Sequence, residues 1–356
     1  MKIVIDAFGG DNAPVEIVKG GLLALEQDEK LELIFVGKKE EIEKIVEGKF
    51  ADRIEIVDAR EIITMDDVPT TAIRQKKDSS LVKAFGELTS REDVGAIVSA
   101  GSTGAVLTGA VLKVGRIPKI SRPALAPVLP KLKNGGGVVL VDCGANAECK
   151  PLNLCHFALM GKCYAETFLG VKNPRIALLN IGSESHKGGA LQQETYKMLE
   201  KMDINFVGNV EGRDMLEDTC DVIVSDGYSG NIALKTCEGT AMGLLGEIKG
   251  QIKAGGLKAK LGALLLKDTF GNIKKKMDYN EIGGAAFLGV KKVVIKAHGS
   301  SKAKSILAAI NQAKTMINQN MVEKIKEGLE KENFTVRCGV TDQQDESYDI
   351  LSVDIS

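Results

Sequence analysis

No tryptophan occurs among the 356 residues, and tyrosine and phenylalanine number only 5 and 10. Proteins that stack nucleic-acid bases need aromatic platforms, so that class has little material here. Charge of one sign is missing too. The 47 Lys and Arg nearly cancel the 48 Asp and Glu, leaving a formal net charge of −1. No nucleic acid is therefore expected as a partner, and any basic surface has to be local. No apolar run approaches the roughly 20 residues that span a bilayer. The chain opens directly on the strand-like Lys2–Asp6, so no signal peptide is expected. Paired cysteines are lacking as well. The seven, at 143, 149, 155, 163, 220, 237 and 338, are odd in number, scattered, and form no C-x-x-C. They read as reduced thiols of a cytoplasmic protein. Cys143, Cys149 and Cys155 lie near His156, but their spacing fits no usual zinc pattern, and neither metal nor cofactor is expected.

What is present is alternation. Apolar runs that read as strands stand at Lys2–Asp6, Leu31–Val36, Ile54–Val57, Gly95–Val98, Val138–Asp142, Arg175–Asn180, Asn205–Gly208, Val222–Ser225 and Val293–Lys296. Between them, helical patterns cover Pro14–Leu25, Lys39–Val46, Lys76–Leu88, Ala105–Val114, Cys155–Leu169, Ala190–Met202, Asn231–Ile248 and Lys302–Asn318, and Met321–Leu329 suggests one more. This order predicts an α/β fold, a doubly wound and mostly parallel sheet with helices on both faces. Length allows one large domain, or two lobes, over residues 1–331, followed by an acidic tail at 332–356.

In such sheets ligands bind beyond the carboxyl ends of the strands, so the residues just past each strand matter most. After Val98 comes Ser99-Ala100-Gly101-Ser102-Thr103-Gly104, a glycine turn opening into a helix. Glycine lets backbone approach a ligand closely, and a helix start offers free N–H donors to an anion. A phosphate cradle is one reading and an ordinary turn is the other. The motif is neither a P-loop nor a dinucleotide fingerprint. After Asp6 comes Ala7-Phe8-Gly9-Gly10-Asp11-Asn12; after Val141, Asp142-Cys143-Gly144-Ala145-Asn146. Asn180-Ile181-Gly182-Ser183-Glu184 leads to Lys187-Gly188-Gly189, and Ser225 leads to Asp226-Gly227-Tyr228-Ser229-Gly230-Asn231. Lys296 is followed by Ala297-His298-Gly299-Ser300-Ser301. Together these ends describe one polar cleft. Lys187, followed by Gly188 and Gly189, is either a ligand-reaching ammonium or a solvated surface charge. His298 is either a ligand contact or a hydrogen-bonded structural histidine. Asp142 and Asp226 either touch ligand or stabilise their turns.

Residues 249–278 differ in character. Lysines stand at 249, 253, 258, 260, 267 and 274–276 against the single acid Asp268 within 249–276. Leu257, Leu261, Leu264 and Leu265 share one helical face, while Leu266, Phe270, Ile273 and Met277 would fall opposite on a continuous helix. A break near Thr269 to Gly271 turns this into an amphipathic helical hairpin. It suits a peripheral contact with anionic lipid, through the leucines and Phe270, or packing against its own or a second subunit.

Taken together these motifs resemble the bacterial phosphate acyltransferases of phospholipid synthesis over about residues 1 to 320. The likeness rests on Asp6 to Asp11, Ser99 to Ala105, Arg122-Pro123-Ala124-Leu125, Gly144-Ala145-Asn146, Asn180-Ile181-Gly182, Asp226 to Asn231, Gly283 to Val290 and Val294 to Ser301. The last two stretches are also similar to phosphate acetyltransferases. Departures from the family pattern are Ser102 for Asn, Phe8 for Met and Ser183 for Glu.

The resemblance implies a fold like that of isocitrate and isopropylmalate dehydrogenases and of phosphate acetyltransferases, with the hairpin protruding. It implies transfer of a fatty acyl group from acyl-acyl carrier protein to inorganic phosphate, by direct attack on the thioester. It implies a homodimer at the inner face of the cell membrane, supplying acyl phosphate to a glycerol-3-phosphate acyltransferase. Lys187, His298 and Asn231 are then the candidate catalytic residues. Gly9, Gly10, Asp11, Ser99, Gly101, Ser102, Thr103, Gly104, Asn146, Asp226 and Ser300 are candidate substrate contacts. The acidic carrier protein would meet a basic rim of Lys119, Arg122, Lys131 and Lys133. Competing readings are an acetyltransferase-like enzyme using acyl-coenzyme A, a nicotinamide-dependent dehydrogenase on the same fold, and a membrane-docking scaffold without turnover.

Overall fold

The computed structural model describes residues 1–277 and 283–332. Residues 333–356 of the expected tail, Cys338 among them, and residue 278 of the hairpin lie outside the described residues. The strands, in chain order, are β1 (Lys2–Asp6), β2 (Glu32–Gly37), β3 (Ile54–Asp58), β4 (Val94–Ser99), β5 (Ala124–Ala126), β6 (Val128–Pro130), β7 (Gly137–Val141), β8 (Ile176–Asn180), β9 (Phe206–Glu211), β10 (Val222–Val224), β11 (Ala285–Leu288) and β12 (Val293–Lys296). The helices are α1 (Val15–Gln27), α2 (Lys39–Val46), α3 (Pro69–Gln75), α4 (Ser80–Ser90), α5 (Thr103–Gly109), α6 (Pro151–Tyr164), α7 (Ala190–Leu199), α8 (Gly227–Ala254), α9 (Gly256–Leu265), α10 (Lys267–Met277), α11 (Ala303–Asn318) and α12 (Met321–Glu332). Both α5 and α6 run on into a wider, π-type stretch, at Ala110–Val114 and Ala165–Leu169.

The expected alternation is realised in two sheets. A seven-stranded sheet has the order β3-β2-β1-β4-β12-β11-β5, and a five-stranded sheet the order β6-β7-β10-β8-β9. Pairings from β3 to β12 and from β7 to β9 are parallel, and only β11, β5 and β6 pair antiparallel. Parallel strands are covered on both faces, which is why they read as unbroken apolar runs. Ile3, Val4 and Ile5 of β1 and Val293, Val294 and Ile295 of β12 are all buried. The three antiparallel strands are only three or four residues long, too short to show a period, and escape the sequence pattern. Two of them form the passage between sheets. The chain leaves the first sheet at β5, turns at Pro127, and enters the second at β6.

One hydrophobic cluster takes side chains from both sheets, including Ile3 and Ile5 of β1 and Val139, Val141, Val222 and Val224 of β7 and β10. Helix α6 contributes Phe157, Met160 and Tyr164 to it and is buried on nearly every side, as an apolar helix within a large core must be. The helix expected over Lys76–Leu88 stands as α4, starting four residues later, and α3 before it was not expected. Ser79 caps α4, its Oγ accepting from Val82 N at 3.3 Å.

Helix α1 meets α11 so closely that a Cβ on Gly20 would lie 2.5 Å from Ile306 Cβ and 2.7 Å from Ala303 O. At the same contact Glu16 Oε2 accepts the first N–H of α11, from Ala303, at 3.0 Å. This contact sets the spacing between the segments beyond β1 and β12. Gly20→Ala is expected to lower the unfolding free energy by about 1–3 kcal/mol, the range for overpacking, as read from urea denaturation.

Candidate functional site

The ends of β4, β7 and β12 and the start of α8 open into one cleft of about 330 Å³. Thr103 and Gly104 come from the turn after β4, Cys143 and Gly144 from the turn after β7, and Asn231, Lys235 and Glu238 from α8. Lys296, Ala297 and His298 come from the end of β12. Leu107, Leu125, Pro127, Val128 and Leu234 supply an apolar wall.

Three glycine-bearing loops lock together beside it. Ser99 Oγ donates to Asp6 Oδ2 at 2.6 Å and accepts from Gly101 N at 3.1 Å. Gly9 fits against this pair, because a Cβ there would lie 2.5 Å from Asp6 Oδ2 and 2.7 Å from Gly101 N. Asp11 N donates to Gly299 O at 2.8 Å, and Asn12 Nδ2 donates to Ser300 O at 3.0 Å. Gly10 has φ +98°, a backbone conformation glycine adopts without strain. Gly9, Gly10, Asp11, Ser99 and Gly101 therefore build the loop that carries His298 and do not line the cleft itself.

The ring of His298 is oriented by Ser300. Ser300 N donates to Nδ1 at 3.2 Å, and Ser300 Oγ lies 2.8 Å from the same atom. A backbone N–H can only donate, so Nδ1 is the acceptor and Nε2 carries the ring proton. Desolvation, then Lys296 and Lys235, move His298 below its ordinary value, which favours the neutral ring.

Asp142 organises the second sheet's contribution. Its buried carboxylate accepts from Leu125 N at 2.8 Å, Cys143 N at 2.7 Å, Ala145 N at 3.2 Å, Asn146 N at 2.7 Å and Asn146 Nδ2 at 2.9 Å. Burial pushes this carboxyl up to about 6 against the pull of those donors. Of the two readings open for Asp142, the structure realises the turn-holding one. Asn146 is spent in the same way, with Nδ2 also donating to Pro123 O at 2.8 Å. Asp226 caps α8, Oδ1 accepting from Ser229 N at 2.8 Å. Gly230 lets α8 approach: a Cβ there would sit 2.1 Å from Asp142 O.

The structure thus brings Thr103, Gly104, Asn231 and His298 to one cleft, with Ser300 behind His298. Ser102 stands at the N-cap of α5 without a side-chain capping bond. Lys187 stands outside this lining, 3.8 Å from Glu184, in a loop held by Asn180 Nδ2 on the Lys187 carbonyl at 3.1 Å. The expected basic rim is also broken. Lys131 is buried between Asp218 and Asp221, at 2.9 and 2.5 Å, and Lys133 pairs with Glu217 at 2.5 Å.

Sequence reasoning misses Lys296 and Lys235. The available signals are a lysine ending an otherwise apolar strand, and the one-turn spacing from Asn231 to Lys235 on a helix face. Lys296 is buried, and burial first, then Lys235, holds its amine down to about 8. Lys235 itself pairs with Glu238 at 2.8 Å.

The break in the hairpin differs from expectation. Helix α8 runs to Ala254, the pair Gly255-Gly256 interrupts it, and the second break falls at Leu266 instead of Thr269 to Gly271. Two adjacent glycines, with Gly256 at φ +44°, explain the first interruption. Leu257, Leu261, Leu264 and Leu265 are 87%, 60%, 66% and 79% exposed, while Phe270 is half-buried.

A cleft with cationic and apolar walls, on this two-sheet scaffold, defines an α/β enzyme of phosphotransacetylase-like fold. The fold matches a phosphotransacetylase from Streptococcus pyogenes at a TM-score of 0.57 and 18% identity, covering 89% of this chain and 94% of that one. It matches a branched-chain phosphotransacylase from Enterococcus faecalis V583 at 0.54 and 15%, covering 89% and 99%. The family model described as "Fatty acid synthesis protein" matches residues 1–324. The chain is 49% identical to a phosphate acyltransferase from Clostridium tetani, over 92% of this chain and 98% of that relative. It is 46% identical to one from Bacillus licheniformis, over 93% and 99%. The chain belongs to this fatty acid synthesis protein family.

Asp142→Ala would leave five N–H hydrogen bonds without their acceptor. It is expected to lower the unfolding free energy by about 3 kcal/mol or more in urea titrations, because buried unmet donors are costly.

Proposed function

We propose that this chain is a phosphate acyltransferase that moves a fatty acyl group from the thioester of acyl carrier protein to inorganic phosphate. The product, acyl phosphate, serves phospholipid synthesis. The supporting observation is a single cleft lined both by polar groups, Asn231, Lys235, Lys296 and His298 with Glu238, and by apolar ones, Leu107, Leu125, Pro127, Val128 and Leu234. An anion suits the cations and an acyl chain the apolar groups. A phosphate oxygen attacks the carbonyl carbon; the C–O bond forms as the C–S bond breaks. The sulfur leaves with its electron pair and takes the proton that phosphate gives up. Phosphate is already anionic near neutral pH, so the protein's work is to hold it against the carbonyl and to stabilise the oxyanion. The Asn231 amide and the Nε2–H of His298 are the donors for that oxyanion, and Thr103 and Gly104 border the phosphate.

The same reading includes a homodimer. Ile181, in the loop after β8, and Tyr228 and Ile232, on the first turns of α8 that also carry Asn231, are 81%, 65% and 50% exposed, and a second copy would cover them. Lys187 shares the Ile181 loop, and its role falls to that contact. The hairpin lies against the anionic inner face of the membrane, with exposed leucines inserting and exposed Lys249, Lys253, Lys258, Lys260 and Lys267 attracting lipid headgroups. There the product reaches a glycerol-3-phosphate acyltransferase. No helix among the described residues is long and apolar enough to cross a membrane.

Incubation with acyl-acyl carrier protein and phosphate, with hydroxylamine trapping, is expected to yield acyl phosphate. Equal or better turnover with acyl-coenzyme A would favour the acetyltransferase-like alternative, and none with either thioester would sink the reading. Asn231→Ala and His298→Ala are each expected to lower kcat by about 10²-fold or more, the scale of a lost oxyanion donor. In flotation assays, Leu257→Asp with Leu265→Asp is expected to detach the chain from anionic vesicles. Unchanged flotation would remove the hairpin from the membrane.

A further inference from the structure

We infer that Lys296 is the cation that anchors the phosphate anion in the cleft, with Lys235 as its flanking donor. This rests on the acyl-transfer reading for the identity of the anion, though not for the existence of the site. Lys296 is 8% exposed and lines the cleft. Its hydrogen bond goes to the carbonyl of its own neighbour, Ala297, and no carboxylate among the described residues lies within 4 Å of its ammonium. The comparison within the chain decides what this means. Lys131, 6% exposed, has two carboxylates, Asp218 and Asp221, on its ammonium. A buried charge is retained when something pairs with it. For Lys131 that partner is protein; for Lys296 the partner is left to come from the cleft.

The groups facing Lys296 support an incoming anion. From α8 come Lys235 and Glu238, which pair with each other; from the segment past β12 comes His298; from β1 and its loop, Asp6 and Asp11; from the turn after β7, Cys143. Asp11 and Asp6 pull the amine the other way, ranking after burial and Lys235. Those two leading effects hold the amine at about 8, and an anion seated on it would oppose both by favouring the charged form. At pH 8.5, above that value, most such amines lack the proton, so an anion that favours the charged form draws protons from solution. Phosphate is already the dianion at that pH, and His298, below its ordinary value, is already neutral.

Titration of the full chain with inorganic phosphate at pH 8.5, by calorimetry in two buffers of different ionisation enthalpy, reads that uptake directly. Net proton uptake on phosphate binding is expected. Lys296→Met is expected to abolish the uptake and weaken phosphate binding at least tenfold, and Lys296→Arg to keep the affinity while losing the uptake. In turnover assays Lys296→Met is expected to raise the KM for phosphate and leave the KM for the thioester alone. Phosphate that does not bind, that binds without proton uptake, or that binds folded Lys296→Met as tightly as wild type would overturn the assignment. So would uptake driven by the thioester alone. If Lys296→Met does not fold, the wild-type uptake decides. Phosphate binding with uptake but no acyl phosphate formed would keep the anion site and remove the acyl-transfer reading.

Discussion

The carboxylate of Asp142 is where the two sheets are tied together at the cleft. It belongs to the turn after β7 in the second sheet, and it accepts from Leu125, the middle residue of β5 in the first. The Cys143 N–H returns a bond to the Leu125 carbonyl at 3.0 Å, and Leu140 N donates to Pro127 O at 3.1 Å. The chain's passage between sheets is thus held on both sides of Pro127. Remove this carboxylate and the apolar wall at Leu125, Pro127 and Val128 loses its fixed distance from Gly144 and Asn231. Burial raises the carboxyl, and the surrounding N–H groups hold its shape, so the site is rigid at the expense of a desolvated acid.

The first sheet solves a different problem. Three parallel strands end near one another, and their loops must pass without side chains in the way. Gly9 against Asp6 and Gly101, and Gly10 against Ala100 and Gly299, allow that approach. What emerges is a short platform from which His298 and Lys296 reach the cleft. Helix α11, tied back by Gln312 on both the N–H and the carbonyl of Gly284, at 2.7 and 3.0 Å, steadies the far rim. The catalytic proposal therefore places charge on the first sheet and the Asn231 amide on the second, with substrate between.

Much of this is legible in the residues themselves. The nine apolar runs are all strands in the fold; the inner parallel strands, buried on both faces, leave the strongest mark, and the edge strands β3 and β9 are only partly buried. The ends of β4, β7 and β12 and the start of α8 converge, so that Thr103, Gly104, Asn231 and His298 line one cleft, while the loop after β8 stands outside it. The parts that escape have physical reasons. Strands β5, β6 and β11 are too short for periodicity, and an antiparallel edge carries no signal of its own. Lys296 reads as the polar end of a strand, since sequence cannot say whether the carboxylates near it in space are within reach. Asn146 and Asp226 carry the chemistry of ligand contacts, and in the fold Asn146 Nδ2 donates to Asp142 and Pro123 while Asp226 Oδ1 accepts from Ser229. Lys187 precedes two glycines as a ligand-reaching lysine would, but in the single chain it faces Glu184.

Local pattern, then, decided the elements, the glycine turns and the family: strand burial, helix spacing and loop composition are properties of neighbouring residues, and they survive in one dimension. Which polar groups remain available for a ligand is a property of partners distant along the chain. Lys131 and Lys296 are both lysines at strand ends. Only the packing of a loop 87 to 90 residues away supplies carboxylates to Lys131, and no such loop reaches Lys296 among the described residues. That difference, a matter of distances and burial, separates a structural ion pair from a cation waiting in a cleft.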